Sequence, residues 1–339
     1  MAETRIKSEH CFAVIGAGSW GTALAIQFSR SGHRTELWGR DGDQVAAMAA
    51  ARVNAKYLPD APFPDDLHVT DDLAAALTRA DDVVVAVPSH AFRETLQAIA
   101  AVRARYHGLC WATKGFENET GLLPHQVVAA TLPDAPPTAV LSGPTFAAEV
   151  ARELPSAMTI ASASDGYARH LAVAITTDAF RAYVSDDIVG VEVGGATKNI
   201  YAIGAGLTDG LGFGANSRVA LLTRGLAEMT RLGVALGARK ETFMGLAGIG
   251  DLVLTCTDDQ SRNRRFGLAL ATGKSAADAR RSIGQVVEGY YAAKAVHQVR
   301  EREGIDMPIA EQLYQVLYED LEPLDAVHAL MSRPIMREN

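Results

Sequence analysis

The 339-residue sequence predicts an α/β doubly wound sheet followed by an all-α C-terminal domain, and three observations carry that expectation. The first part of the chain alternates short apolar runs with helix-like stretches, the pattern of a parallel sheet covered on both faces. A glycine-rich run, Gly16-Ala17-Gly18-Ser19-Trp20-Gly21, joins the first such strand to the first such helix. Proline occurs 13 times but not between Pro155 and Pro308, a stretch rich in Ala, Leu and Arg. Interior proline costs a helix about 3 kcal/mol, so this interval reads as helical. We place a boundary near residue 190, giving domains 1–189 and 190–339.

In chain order, the strands are expected at 12–15, 35–38, 83–87, 109–113, 139–141, 158–161 and 181–184, with helices at 22–31, 44–50 and 72–79 between the early ones. Residues 58–64 hold three prolines and read as a loop. Helical periodicity returns at 219–232 and 285–302. Residues 11–29 carry no charge and superficially imitate a secretory segment. The apolar run is broken by Gly-Ala-Gly-Ser and preceded by Glu3 and Glu9, so it reads as folded structure. It also lacks the unbroken apolar run of a spanning helix, and no stable membrane insertion is expected.

Composition narrows the function. The chain carries 32 Lys+Arg against 40 Asp+Glu, a net charge of −8, which argues against nucleic acid or an anionic membrane as main partner. An anionic substrate would need a local basic pocket working against that global field. Cys11, Cys110 and Cys256 are too few and too far apart for a disulfide framework or a zinc site, and they suit a cytoplasmic protein. No run has metal-ligand spacing, so no metal is expected. Fourteen of the 30 glycines fall between Gly190 and Gly250, which calls either for close helix packing or for backbone approach to a ligand.

The glycine-rich run fits a Rossmann-type nucleotide site. Gly16 makes the tight turn, Gly18 lets backbone N–H groups approach a pyrophosphate, and Gly21 lets helix pack on strand. The second strand closes on Arg40, where a carboxylate would select the ribose 2′-OH of NAD(H). A guanidinium instead suits the 2′-phosphate of NADP(H), with NAD(H) still admitted.

Lys198 lies among small uncharged residues in Gly194-Gly195-Ala196-Thr197-Lys198-Asn199. Burial there would favour its neutral form, and such a lysine can protonate a carbonyl oxygen as hydride arrives. Lys114 and the run Ser142-Gly143-Pro144-Thr145 each follow a strand, at the carboxyl ends where ligands of such sheets bind. Ser261 is positioned to cap a helix whose N–H groups, with Arg262 and Asn263, would hold a phosphate. Asp251 could orient a substrate hydroxyl or a lysine, or cap the turn after Gly250.

The sequences GAGSWGTALA, ATKGFE, LSGPTFAAEV, GGATKNIYAIGAGLTDGLGFGANS, GLAGIGDLVLTCT, SRNRRFG and GQVVEGY resemble those of bacterial NAD(P)-dependent glycerol-3-phosphate dehydrogenases, in the same order from about residue 10 to about 320. The resemblance implies a Rossmann domain followed by a helical domain of the 6-phosphogluconate dehydrogenase-like type. It implies reversible reduction of dihydroxyacetone phosphate to sn-glycerol 3-phosphate for phospholipid synthesis. It makes Lys198 the acid/base residue and puts Lys114, Gly143, Thr145, Lys198, Asp251, Ser261, Arg262 and Asn263 around the substrate. Ser19, Trp20, Arg40, Lys114, Ala147, Arg262, Val286 and Glu288 are implied around the dinucleotide, and a homodimer fits the apolar helical half. Two other readings stand beside it. One is a ketopantoate or short 3-hydroxyacid reductase on the same architecture, whose substrates carry carboxylates. The other is a non-catalytic NAD(P)-binding sensor, which leaves Lys198 without a role.

Overall fold

The computed structural model describes residues 10–334. The chain divides into two compact units, one made of the residues up to Lys114 with Pro124–Ile188, the other of Gly115–Leu123 with the residues from Val189 onward.

The first unit runs β1 (Cys11–Ile15), α1 (Ser19–Arg30), β2 (Arg34–Trp38), α2 (Gly42–Ala51), β3 (Val53–Asn54), β4 (Leu58–Pro62), β5 (Leu67–Thr70), α3 (Leu73–Arg79), β6 (Asp82–Val85), α4 (Ser89–Val102), β7 (Gly108–Trp111), α5 (Pro124–Thr131), β8 (Thr138–Ser142), α6 (Ala147–Ala151), β9 (Ser156–Ala161), α7 (Asp165–Ile175) and β10 (Phe180–Ser185). Eight strands form one sheet in the order β10-β9-β8-β7-β6-β1-β2-β5. Strands β1, β6 and β7 are buried along their whole length, which is why they read as unbroken apolar runs.

Two expectations are corrected. The sheet is not wholly parallel: β9 runs antiparallel to β8, and β10 follows β9 in parallel. Residues 58–64 are not simply a loop, because Leu58–Pro62 is a strand paired with β3 in a two-stranded ribbon. Both strands of such a ribbon have a free edge, so the missing N–H groups of Pro59 and Pro62 are tolerated there. Leu58 and Ala61 are the residues this strand buries.

In the second unit every regular element described is helical: α8 (Ile188–Gly210), α9 (Ala215–Ala235), α10 (Asp251–Thr257), α11 (Arg262–Leu270), α12 (Ala276–Ile283), α13 (Glu288–Glu303), α14 (Pro308–Tyr318) and α15 (Pro323–Met331), with a short 3₁₀ turn at Lys240–Met244 and a wide π turn at Leu246–Gly250. Helix α8 is buried on all sides from Gly190 to Thr208, as befits the central helix of a bundle. Its glycines serve close packing. A Cβ at Gly206 would stand 1.9 Å from the Arg264 carbonyl oxygen, and one at Gly267 would stand 2.0 Å from that of Ile203, so α8 and α11 cross backbone against backbone. Gly194 is equally confined, 2.2 Å from the Ala247 oxygen.

The excursion Gly115–Leu123 buries Phe116 and Leu123 in the core of this unit. Its turn at Gly121 (φ +67°) packs against α13, and Arg302 of that helix donates to the Thr120 carbonyl at 3.2 Å. The three cysteines are all buried and unpaired. Among the described residues, no helix is long and apolar enough to cross a membrane.

Candidate active site

The nucleotide turn is built from the carboxyl end of β1. Gly16 takes φ +121°, a conformation that favours glycine, and its N–H donates to the Trp38 carbonyl at 3.0 Å. A Cβ at Gly21 would stand 1.9 Å from the Gly16 oxygen, so helix α1 can sit this close to the turn only with glycine there. Gly18 caps α1 without any side-chain hydrogen bond, and a Cβ built on it meets nothing within 4 Å. The space beside Gly18 at the start of α1 is therefore open, and no side chain caps the first N–H groups of the helix. Ser19 and Trp20 are half-buried, and the buried Trp20 Nε1 has no acceptor among the described residues. Open backbone donors at a helix N-terminus beside an unsatisfied indole N–H fit a dinucleotide pyrophosphate.

Arg40 is exposed two residues beyond β2. The nearby carboxylates are engaged elsewhere: Glu36 is buried in ion pairs with Arg34 (3.1 Å) and Arg79 (3.5 Å), and Asp41 caps α2 by accepting from the Gln44 N–H. Lys114 follows β7 and is half-buried, at the same carboxyl end of the parallel strands as Gly16. After β8, Gly143 is wedged 2.8 Å (as a Cβ) from Met158 Cα, Thr145 donates to the Gly143 carbonyl at 3.3 Å, and Ala147 opens α6.

The second unit holds the lysine. Lys198 is buried in the middle of α8, as its neighbours imply, but it is not alone. Its Nζ forms an ion pair and hydrogen bond with the buried Asp251 carboxylate and donates to Thr255 Oγ1 at 3.0 Å. Thr255 in turn donates to the Asp251 carbonyl at 2.6 Å. Asp251 and Thr255 lie four residues apart on α10, hence on one face. The ammonium is thus desolvated beside a counter-charge, with its donors aimed by two acceptors.

Ser261 caps α11, its Oγ accepting from the Arg264 N–H at 3.2 Å. The buried Asn263 donates to Asn199 Oδ1 at 2.9 Å and accepts from the Gly289 N–H at 2.8 Å. Asn199 donates to Glu288 at 3.2 Å, so α8, α11 and the start of α13 share one polar network. Arg262 is half-buried and reaches Gln285 Oε1 at 3.4 Å, while Val286 is exposed. Sequence reasoning passed over Thr255, Asn199 and Asn54. The i, i+4 spacing from Asp251 was a signal for the first. Asn54 lies in β3, where its Nδ2 holds the Ala17 carbonyl (3.1 Å) and Thr22 Oγ1 (2.9 Å) of the nucleotide turn. Nothing local marked it.

A dinucleotide turn on a predominantly parallel sheet, with a buried lysine, carboxylate and hydroxyl on a helical unit, defines an NAD(P)-dependent dehydrogenase of the two-domain kind. Residues 12–168 match the family model for the N-terminus of NAD-dependent glycerol-3-phosphate dehydrogenase, and residues 187–328 match the model for its C-terminus. The chain belongs to the NAD-dependent glycerol-3-phosphate dehydrogenase family. It is 54% identical over 321 residues to glycerol-3-phosphate dehydrogenase [NAD(P)+] of Pseudoalteromonas translucida, covering 94% of this chain and 96% of that one. The crystal structure of glycerol-3-phosphate dehydrogenase from Coxiella burnetii is similar at a TM-score of 0.92 and 45% identity, over 96% of this chain and 99% of that one. A ketopantoate reductase from Ralstonia eutropha matches at a TM-score of 0.59 and 16% identity over 94% of this chain and 100% of that one, a likeness of fold alone.

Proposed function

We propose that this chain reversibly reduces dihydroxyacetone phosphate to sn-glycerol 3-phosphate with NAD(P)H, supplying a backbone for phospholipids. The observation that carries this reading is the buried Lys198 held between Asp251 and Thr255 on a unit that also presents the Ser261-capped end of α11. When bound, the dinucleotide supplies and accepts the hydride. It is held by the Gly16-Gly18-Gly21 turn with Ser19 and Trp20, by Arg40 at the adenosine end, and by Lys114, Ala147, Arg262, Val286 and Glu288.

The chain's own residues do the rest. The N–H groups at the start of α11, with Ser261, Arg262 and Asn263, bind the substrate phosphate, and Gly143, Thr145 and Lys114 line the remainder. Fixing the phosphate turns a bimolecular encounter into a positioned one. Lys198 gives a proton from Nζ to the developing alkoxide oxygen and takes one back in the reverse direction. Asp251 and Thr255 aim that proton by accepting the other Nζ donors. This gives Lys198 a task that the sensor reading lacks, and the donors on α11 suit a phosphate better than the carboxylate of ketopantoate.

The decisive assay follows nicotinamide absorbance with NADPH and either dihydroxyacetone phosphate or ketopantoate. Oxidation with the first supports the assignment; oxidation with the second alone overturns it. A cytoplasmic homodimer completes the proposal. Buried unpaired cysteines suit a reducing compartment, and Val219, Val234 and Met244 of the helical unit offer exposed apolar area. Sedimentation equilibrium at assay concentration tests the dimer.

A further inference from the structure

Asp82 opens β6 and is fully buried, yet three side chains converge on its carboxylate. His10 Nε2 stands 2.6 Å and His170 Nε2 2.9 Å from the same oxygen, Oδ2. The Tyr167 hydroxyl donates to the other oxygen, Oδ1, at 2.9 Å. The histidines lie 72 and 88 residues from Asp82 in sequence, so no spacing rule could reveal the group. The fold assembles it: His10 precedes β1, Asp82 pairs with Phe12 at the amino ends of β1 and β6, and His170 projects from α7. This is the opposite end of the parallel strands from the Gly16 turn.

Two imidazole nitrogens and one carboxylate oxygen lie within 4.8 Å of one another. Around a tetrahedral zinc ion, ligands at about 2.0–2.2 Å stand roughly 3.3–3.6 Å apart, so from 2.9 and 2.6 Å the His170 nitrogen must retreat from Oδ2 by about half an ångström and the His10 nitrogen by somewhat under one. Tyr167 fixes the carboxylate from behind, the role an outer hydrogen-bond partner plays for metal ligands. The His170 side chain is 42% exposed, which leaves an entry path and a fourth position for water. Two nitrogen donors favour a transition ion over Mg²⁺ or Ca²⁺. We propose that His10, Asp82 and His170 form a Zn²⁺ site that ties β1, β6 and α7 together at the end of the sheet remote from the nucleotide turn. The ion is structural, and it stabilises the first unit without entering the hydride-transfer chemistry.

The test is a titration of tag-free, chelator-treated full-length protein with Zn²⁺ by calorimetry, backed by the absorption of the Co²⁺-substituted form. The expected result is one ion per chain, tetrahedral cobalt bands, a raised melting temperature and unchanged turnover. His170→Ala weakens binding by about a hundredfold or more, because a ligand is lost, while His107→Ala leaves it intact. His170→Gln, which keeps a donor toward Asp82, replaces the alanine variant if that one does not fold. No stoichiometric binding to the parent protein, or binding that survives loss of the His170 imidazole, overturns the site.

Discussion

Thr255 Oγ1 lies 3.0 Å from Lys198 Nζ and accepts one of its protons while giving its own to the Asp251 carbonyl. A hydroxyl so committed has a fixed direction, and the lysine inherits it. Thr255→Val keeps the shape and removes the acceptor. One hydrogen bond to a charged group is worth about 1.5 kcal/mol, so kcat falls about tenfold. The KM for dihydroxyacetone phosphate moves less, and Thr255→Ser restores most of the rate. Equal loss in both variants would refute the directional role.

Lys198→Ala removes the proton donor. Turnover drops by about 10²–10⁴-fold. NADPH affinity, measured by calorimetry, stays within a few-fold because its proposed turn belongs to the other unit. The substitution also strands a buried carboxylate, at a cost of about 3–5 kcal/mol. Pairing it with Asp251→Asn recovers much of the stability in urea titrations without recovering activity.

Gly206→Ala and Gly267→Ala each drive a methyl into a carbonyl oxygen at 1.9 or 2.0 Å. Neither neighbour is a flexible side chain, so the helices must part. We expect a loss of at least about 3 kcal/mol per site, read as a shift in denaturation midpoint, against about 1 kcal/mol or less for Gly166→Ala in α7, where an added Cβ meets nothing within 4 Å and only helix propensity changes.

Glu228 is buried in α9, where its carboxylate accepts from the Ile309 and Ala310 N–H groups of α14 at 2.7 and 3.1 Å and from the Tyr201 hydroxyl at 3.3 Å. Burial pushes its pKa up to about 7, from 4.5, against the pull of those donors and of Arg231. The folded chain therefore holds a proton that the unfolded chain has released between these values. This contribution to stability is complete below pH 4.5, is lost as pH rises toward 7 and is level beyond. Glu228→Gln flattens that slope in urea midpoints taken across about pH 5–8.

Arg40→Asp tests the adenosine end. Replacing a cation by an anion at an exposed position raises KM for NADPH about tenfold or more and leaves NADH nearly unchanged. An unaltered cofactor ratio would remove Arg40 from recognition.

Seven of the eight strands of the main sheet were legible because most of them are apolar runs covered by helices, whereas β5 (Leu67–Thr70), a short edge strand with His68 and Thr70, was not; Lys198 was legible because a charge among glycines and alanines is conspicuous. The β3–β4 ribbon was not, since prolines that forbid a central strand are harmless at a free edge. The reversal between β8 and β9 left no mark either, because an apolar run has no direction. At the site, Asp251 was readable, but its pairing with Lys198 spans 53 residues and depends on how α8 and α10 pack. The Asp82 cluster is the same case in stronger form.

The detour of the chain after Lys114 has a consequence for dissection. The chain passes from one unit to the other three times, after Lys114, before Pro124 and after Ile188, so no single cut separates them. A fragment starting at Val189 would lack Phe116 and Leu123 from its core and the turn at Gly121 that rests on α13. Such a fragment begins life with a cavity, and adding the peptide Gly115–Leu123 in trans should help close it.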